Sequence, residues 1–189
     1  PWLAMELVGG GIASSLLGAV EWRSLRGLLL GVLDGLAHAH ARGVVHRDIK
    51  PANILLRERA RGVKLTDFGL AHTVSGEASP TDENFVGTPS YMAPEQIEVR
   101  WRDFGPWTDL YAVGAMAWAL ATGSPPYQGG TAEILAGHLS GHRADFDPVI
   151  AVPKDFEGWI AGLMAVKVQD RYQRSADAAW ALVQLGEPE

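Results

Sequence analysis

His46-Arg47-Asp48-Ile49-Lys50-Pro51-Ala52-Asn53 is the stretch that decides how this chain is read, together with Asp67-Phe68-Gly69 further on. The two stretches supply two separate acids, one amide and one lysine. Apolar runs lie beside them at Val44-Val45, Ile54-Leu55-Leu56 and Val63-Lys64-Leu65. Such runs predict short strands, the last two joined through a polar turn at Gly62. The chemistry-bearing residues then fall at strand ends and in loops, where a rigid scaffold presents them. An acid that can take a proton, an acid and an amide with hard oxygens for magnesium, and a lysine acting as a compact point charge form a coherent set. These are the groups that phosphoryl transfer from a metal-bound nucleotide requires. A third block, Gly87-Thr88-Pro89-Ser90-Tyr91-Met92-Ala93-Pro94-Glu95, follows downstream.

Composition narrows the classes. With 189 residues, 47% hydrophobic and 20% charged, the chain has ordinary globular values and enough length for one core. A net charge of −6 argues against a nucleic-acid or anionic-membrane surface. There is no cysteine, so disulfides and thiolate metal sites are excluded, in keeping with a reducing cytoplasm. The longest apolar run, Val113 to Ala121 with only Gly114 inside it, is far short of a membrane span. The six histidines show no metal-like clustering. His38 and His40 fall two apart on a helix and face different ways, so surface or helix-end packing is expected of them.

Leu3 to Val8 reads as a strand running into a flexible link at Gly9-Gly10-Gly11, which lacks the G-x-G-x-x-G spacing of a phosphate loop. From Trp22 to Ala41, apolar residues recur at helical spacing through Leu25, Leu29, Leu33, Leu36 and His40, with Gly43 as the stop. Thr108 is the expected N-cap of a helix from Asp109 to Ala121, apolar on every side and therefore central. Further helices are expected at Thr131 to Ser140, Phe156 to Val168 and Ser175 to Leu185.

In order and spacing these motifs resemble the eukaryotic-like serine/threonine protein kinases, of the bacterial type. The resemblance runs over essentially the whole chain, but only from the interlobe hinge onward. It implies a mainly α (α+β) kinase-like C-lobe: a helical bundle around a buried central helix, with short strand pairs carrying the catalytic loops. On this reading residues 1–12 end an N-lobe strand and form the hinge, residues 13–186 form the C-lobe, and residues 187–189 are a tail. The N-lobe, with its glycine-rich loop, strand lysine and helix-C glutamate, is absent from the sequence, so this piece alone is expected to bind ATP poorly and to transfer nothing.

The resemblance also implies roles. Asp48 is the catalytic base, Lys50 meets the γ-phosphate, and Asn53 and Asp67 hold Mg2+ between ATP and protein. Met5 is the gatekeeper, Glu6 and Val8 offer backbone groups to adenine, and Leu55 packs beneath its ring. His46, Phe68 and Gly69 are structural. Thr88 and Lys50 favour Ser or Thr acceptors on protein substrates. Glu95 pairs with Arg171, for which an exposed helix-end arginine is the alternative. Asp109 braces the catalytic loop, or serves as a first-turn acid on its helix dipole. Arg47 meets a phosphate on Thr81, a carboxylate at Asp82 or Glu83, or only solvent. Ala52 and Ile12 stand where basophilic members carry acids, which argues against an arginine requirement upstream of the phosphosite. Trp101, Phe104 and Trp107 form a docking patch or pack on their own domain. Two rival functions share parts of this pattern: a pseudokinase scaffold without chemistry, and a small-molecule phosphotransferase, which generally lacks the Gly-Thr to Ala-Pro-Glu platform.

Overall fold

A helix that is apolar on every side has no face to give to water, and this fold is built around one. The structure, a computed structural model, describes residues 6–57, 62–68 and 89–188. In chain order its main elements are α1 (Trp22–His40), β1 (Ile54–Leu56), β2 (Val63–Leu65), α2 (Pro94–Ile97), α3 (Pro106–Thr122), α4 (Thr131–Ser140), α5 (Phe156–Leu163) and α6 (Ser175–Gln184). α3 is buried without a break from Thr108 to Ala121. α1 turns Leu25, Leu29, Val32, Leu33 and Leu36 into the same core. α5 presses so closely on α3 that a Cβ at Gly114 would lie 2.7 Å from Met164 Cγ. α6 lies along α1, and Trp22 Nε1 donates to the Gly186 carbonyl at 2.8 Å.

β1 and β2 form an antiparallel pair with Ile54 opposite Leu65. The glycine link lies against this pair: Gly10 N–H donates to Leu56 O at 3.0 Å and Leu56 N–H donates to Gly11 O at 2.9 Å. A Cβ at position 10 would sit 2.3 Å from that Leu56 oxygen, so the approach admits only glycine.

Four expectations are corrected. α3 opens at Pro106 with Gly105 as N-cap, not at Asp109 with Thr108 as cap. Proline suits a first turn because its missing N–H is not needed there. Thr108 sits inside that turn, and its Oγ1 accepts the Gly105 N–H at 3.1 Å. Val44-Val45 forms no strand: Val44 N–H closes the end of α1 on Ala39 O, and the next amides are drawn to Asp109. α5 ends at Leu163 rather than running to Val168, because the carbonyls of Ala165 and Val166 accept from Arg171 instead of continuing a helix. Glu6 to Val8 is not strand, while Leu3 to Met5 lies outside the described residues.

Candidate active site

The first residue of α3 to matter chemically is Asp109, whose carboxylate is buried. Its Oδ2 accepts the His46 N–H at 2.8 Å and its Oδ1 accepts the Arg47 N–H at 2.7 Å. Oδ2 also accepts from His40 Nε2 at 2.8 Å, and His40 Nδ1 lies 3.1 Å from Ser175 Oγ. A carboxylate at Nε2 keeps the proton there, so Nδ1 accepts from the serine hydroxyl. The acid thus holds two consecutive backbone amides of the loop that carries Asp48. Arg47 takes φ 69°, a left-handed conformation that a non-glycine residue keeps only when its surroundings hold it there.

His46 ties this loop to the end of β2. Its Nε2 donates to Thr66 O at 2.9 Å and its Nδ1 accepts the Asp48 N–H at 3.3 Å, which fixes the tautomer. Burial pushes its pKa below the usual imidazole value, opposed first by the Asp109 charge. The His46 and Phe68 rings are 4.4 Å apart. Thr66 N–H donates to Asn53 O at 3.1 Å, so Asp67, exposed and at φ 62°, emerges one residue beyond that bond.

Asp48, Lys50 and Asn53 meet directly. Lys50 Nζ lies 2.8 Å from Asp48 Oδ2, and Asn53 Nδ2 donates to both Asp48 Oδ2 and Asp48 O at 2.8 Å. The Asp48 side chain remains 27% exposed. Leu55 is half-buried on β1. Val8 is half-buried, and the exposed Glu6 carboxylate pairs with Lys64 on β2, whose hydrogen bond and charge hold its pKa down. Met5, Gly69, Thr81, Asp82, Glu83 and Thr88 lie outside the described residues.

Below this loop Glu95 is wholly buried and is gripped by the Arg171 fork, Nη1 to Oε1 at 2.9 Å and Nη2 to Oε2 at 2.8 Å. Thr108 Oγ1 donates to Glu95 Oε1 at 2.9 Å. Arg171 places its other N–H groups on the carbonyls of Ala165, Val166 and Trp107, and lies 4.7 Å over the Tyr111 ring.

Residues 1–179 match the family described as protein kinase domain. The chain belongs to the protein kinase family. Among relatives, it is 37% identical over 181 residues to the serine/threonine-protein kinase PknL of Mycobacterium tuberculosis, covering 91% of this chain and 44% of PknL. It is 38% identical over 179 residues to the serine/threonine-protein kinase Pkn1 of Myxococcus xanthus, covering 91% of this chain and 26% of Pkn1. The serine/threonine-protein kinase PknF of M. tuberculosis is 35% identical over 191 residues, covering 96% of this chain and 40% of PknF. The chain therefore spans less than half the length of these relatives.

Ser175 and Gln96 escaped the sequence reading, and His40, read as surface or helix-end packing, proves to be a partner of Asp109. His40 had a signal, because it falls on the apolar face of α1 four residues after Leu36. A polar residue in such a stripe needs a buried partner, and here the partner is Asp109. Arg47 stretches 5.7 Å over the Phe104 ring and meets no carboxylate among the described residues. The Trp101 and Phe104 rings pack at 5.0 Å, and Trp107 Nε1 donates to Asp103 O at 2.7 Å, so Phe104 and Trp107 are half-buried on their own domain while Trp101 stays 55% exposed.

No group of three or more His, Cys, Asp or Glu gathers among the described residues. Asn53 commits its NH2 group to Asp48, leaving Oδ1 outside those bonds. One amide oxygen and the Asp67 carboxylate are hard donors of the kind magnesium takes when phosphates and water complete its shell. No described helix is long and apolar enough to cross a membrane.

Proposed function

We propose that the protein transfers the γ-phosphoryl group of Mg-ATP to serine or threonine hydroxyls of other proteins. The observation that carries this reading is the Asp48 carboxylate, held between Lys50 and Asn53 at 2.8 Å each yet open to solvent on one side. Asp48 orients the acceptor hydroxyl and takes its proton as the new O–P bond forms and the γ-phosphorus parts from the bridging oxygen, which leaves with ADP. Lys50, already at that carboxylate, offsets charge on the phosphoryl in transit. Asn53 and Asp67 would hold Mg2+, which when bound screens the nucleotide phosphates. Asp109, through His46 and Arg47, keeps the loop in register for this work. Glu6 and Val8 would offer backbone groups to adenine, with Leu55 beneath the ring. The relatives' names speak for serine/threonine acceptors. We place the activity in the cytoplasm, the compartment that supplies ATP.

In the full-length protein, Asp48→Asn should lower peptide phosphorylation by about 10²- to 10⁴-fold, the range for a positioned base, while nucleotide affinity stays parental. Asp67→Ala should instead abolish magnesium-dependent nucleotide binding. Transfer by Asp48→Asn at the parental rate would remove Asp48 from its role.

A further inference from the structure

One buried amide carries two hydrogen bonds that the phosphotransfer reading leaves unused. Gln96, on α2, is only 8% exposed. Its Oε1 accepts the Ala93 N–H at 3.1 Å, and its Nε2 donates to the Arg47 carbonyl at 2.9 Å. The first bond is half of an ordinary helix cap, since Ala93 is the N-cap of α2 and Gln96 its third residue. Glutamate serves that position equally well. The donor half is different, because only an amide can both accept from Ala93 and donate to Arg47.

The Arg47 carbonyl belongs to the peptide group that enters Asp48. Arg47 holds φ 69°, a strained conformation that persists only where neighbours over-determine it. Asp109 Oδ1 takes its N–H at 2.7 Å and Gln96 takes its C=O at 2.9 Å. Neither adjoining peptide plane can rotate without breaking one of these bonds. Rotation of the second plane would carry the Asp48 N–H off His46 Nδ1, where it sits at 3.3 Å, and swing the carboxylate from Lys50 and Asn53. Asp109 secures the loop from the central helix, and Gln96 secures it from α2.

We propose that Gln96 is a positioning residue: by holding the Arg47–Asp48 peptide it sets the direction of the Asp48 carboxylate and couples it to the segment ending in α2, a role that rests on the phosphotransfer reading above. Two variants separate its halves in the full-length protein. Gln96→Glu keeps the acceptor for Ala93 N–H and, once ionised, sets an anion against the Arg47 carbonyl; burial raises the pKa of such a glutamate, so its effect should grow with pH. Gln96→Met keeps the length without charge or hydrogen bonds, which covers the case of a Glu variant that fails to fold.

Both should lower kcat about tenfold to a hundredfold, the scale of a misplacement near 1 Å, with KM for ATP within about twofold of the parent. Amide hydrogen exchange over residues 46–50 should speed up at least about tenfold, while exchange in the buried helix α3 stays unchanged. Parental kcat with parental exchange at residues 46–50 in both variants would overturn the role. Absence of phosphotransfer by the parent protein would overturn the reading beneath it, and the exchange data alone would then decide whether Gln96 holds the loop.

Discussion

Asp109 and Glu95 are both buried carboxylates at the first turn of α3, one belonging to it and the other reaching it through Thr108, and they are used in opposite ways. Asp109 spends its oxygens mainly on backbone amides, those of His46 and Arg47. Such bonds fix the path of a chain whatever its side chains are. Glu95 spends its oxygens on a guanidinium that comes from 76 residues away. Those bonds fasten distant elements to each other and say little about any loop. The difference teaches that one acid serves the geometry of the site and the other serves the integrity of the fold. Disrupting each should therefore show up in different measurements.

The largest stability effect is expected from Arg171→Met. It strands the Glu95 charge in a dry site and frees carbonyls that Arg171 now satisfies, a loss of about 3–5 kcal/mol. Urea unfolding of this domain, read by tryptophan fluorescence, measures it. A loss below about 1 kcal/mol would dissolve the contrast.

A third buried polar group sharpens the comparison, because it is only half satisfied. His138 on α4 is fully buried, with Nδ1 2.8 Å from the Tyr111 hydroxyl and Nε2 without a hydrogen-bond partner among the described residues. The carbonyls of Ser90 and Pro89 lean toward the protonated ring, but burial wins and pushes the pKa down to about 4. The folded pKa is below the unfolded one, so the neutral ring's contribution is fully present above about pH 6.5 and is lost as pH falls toward 4. That loss is about 3 kcal/mol. The depressed His46 pKa acts in the same direction. Unfolding free energy against pH should be distinctly flatter on the acid side in His138→Phe. An identical acid slope in parent and variant would refute the assignment.

Asp109→Asn should invert the Arg171 pattern. Stability should fall by only about 1–3 kcal/mol, as expected when a buried donor loses its acceptor, whereas phosphotransfer should fall about tenfold or more through displacement of Asp48. Measuring both losses in both variants is the direct test, and equal ratios would erase the distinction. The smallest effect is expected from Phe104→Ala, which removes the ring beneath the Arg47 guanidinium and with it about 0.5–1 kcal/mol.

What could be read from the sequence was what local chemistry closes. β1 and β2 fall on the expected residues, and α4 runs from Thr131 to Ser140, as read, because Gly130 and Gly141 end it from within a few positions. The all-round apolar pattern placed α3 at the centre. Asp48, Lys50 and Asn53 lie within six residues, so their meeting was legible too. The misreadings share a cause, which is a distant side chain overriding a local preference. Val44-Val45 has strand composition, yet the amides that follow answer to Asp109. α5 should have run on by periodicity, yet Arg171 claims its carbonyls. Gln96 drew no reading, since nothing local reveals that Arg47 lies across from it.

The bond from Trp22 to Gly186 spans 164 residues and joins the first helix of the lobe to the end of the last. During synthesis α1 is made well before α6, the helix that lies along it. At ordinary translation rates the interval is roughly ten to thirty seconds. For that time the nascent chain presents an uncovered helix to the ribosome surface, where a chaperone can occupy it before α6 does. Proteolysis of ribosome-stalled chains with α6 held inside and released from the exit tunnel should register the change as protection of α1, appearing late and in one step.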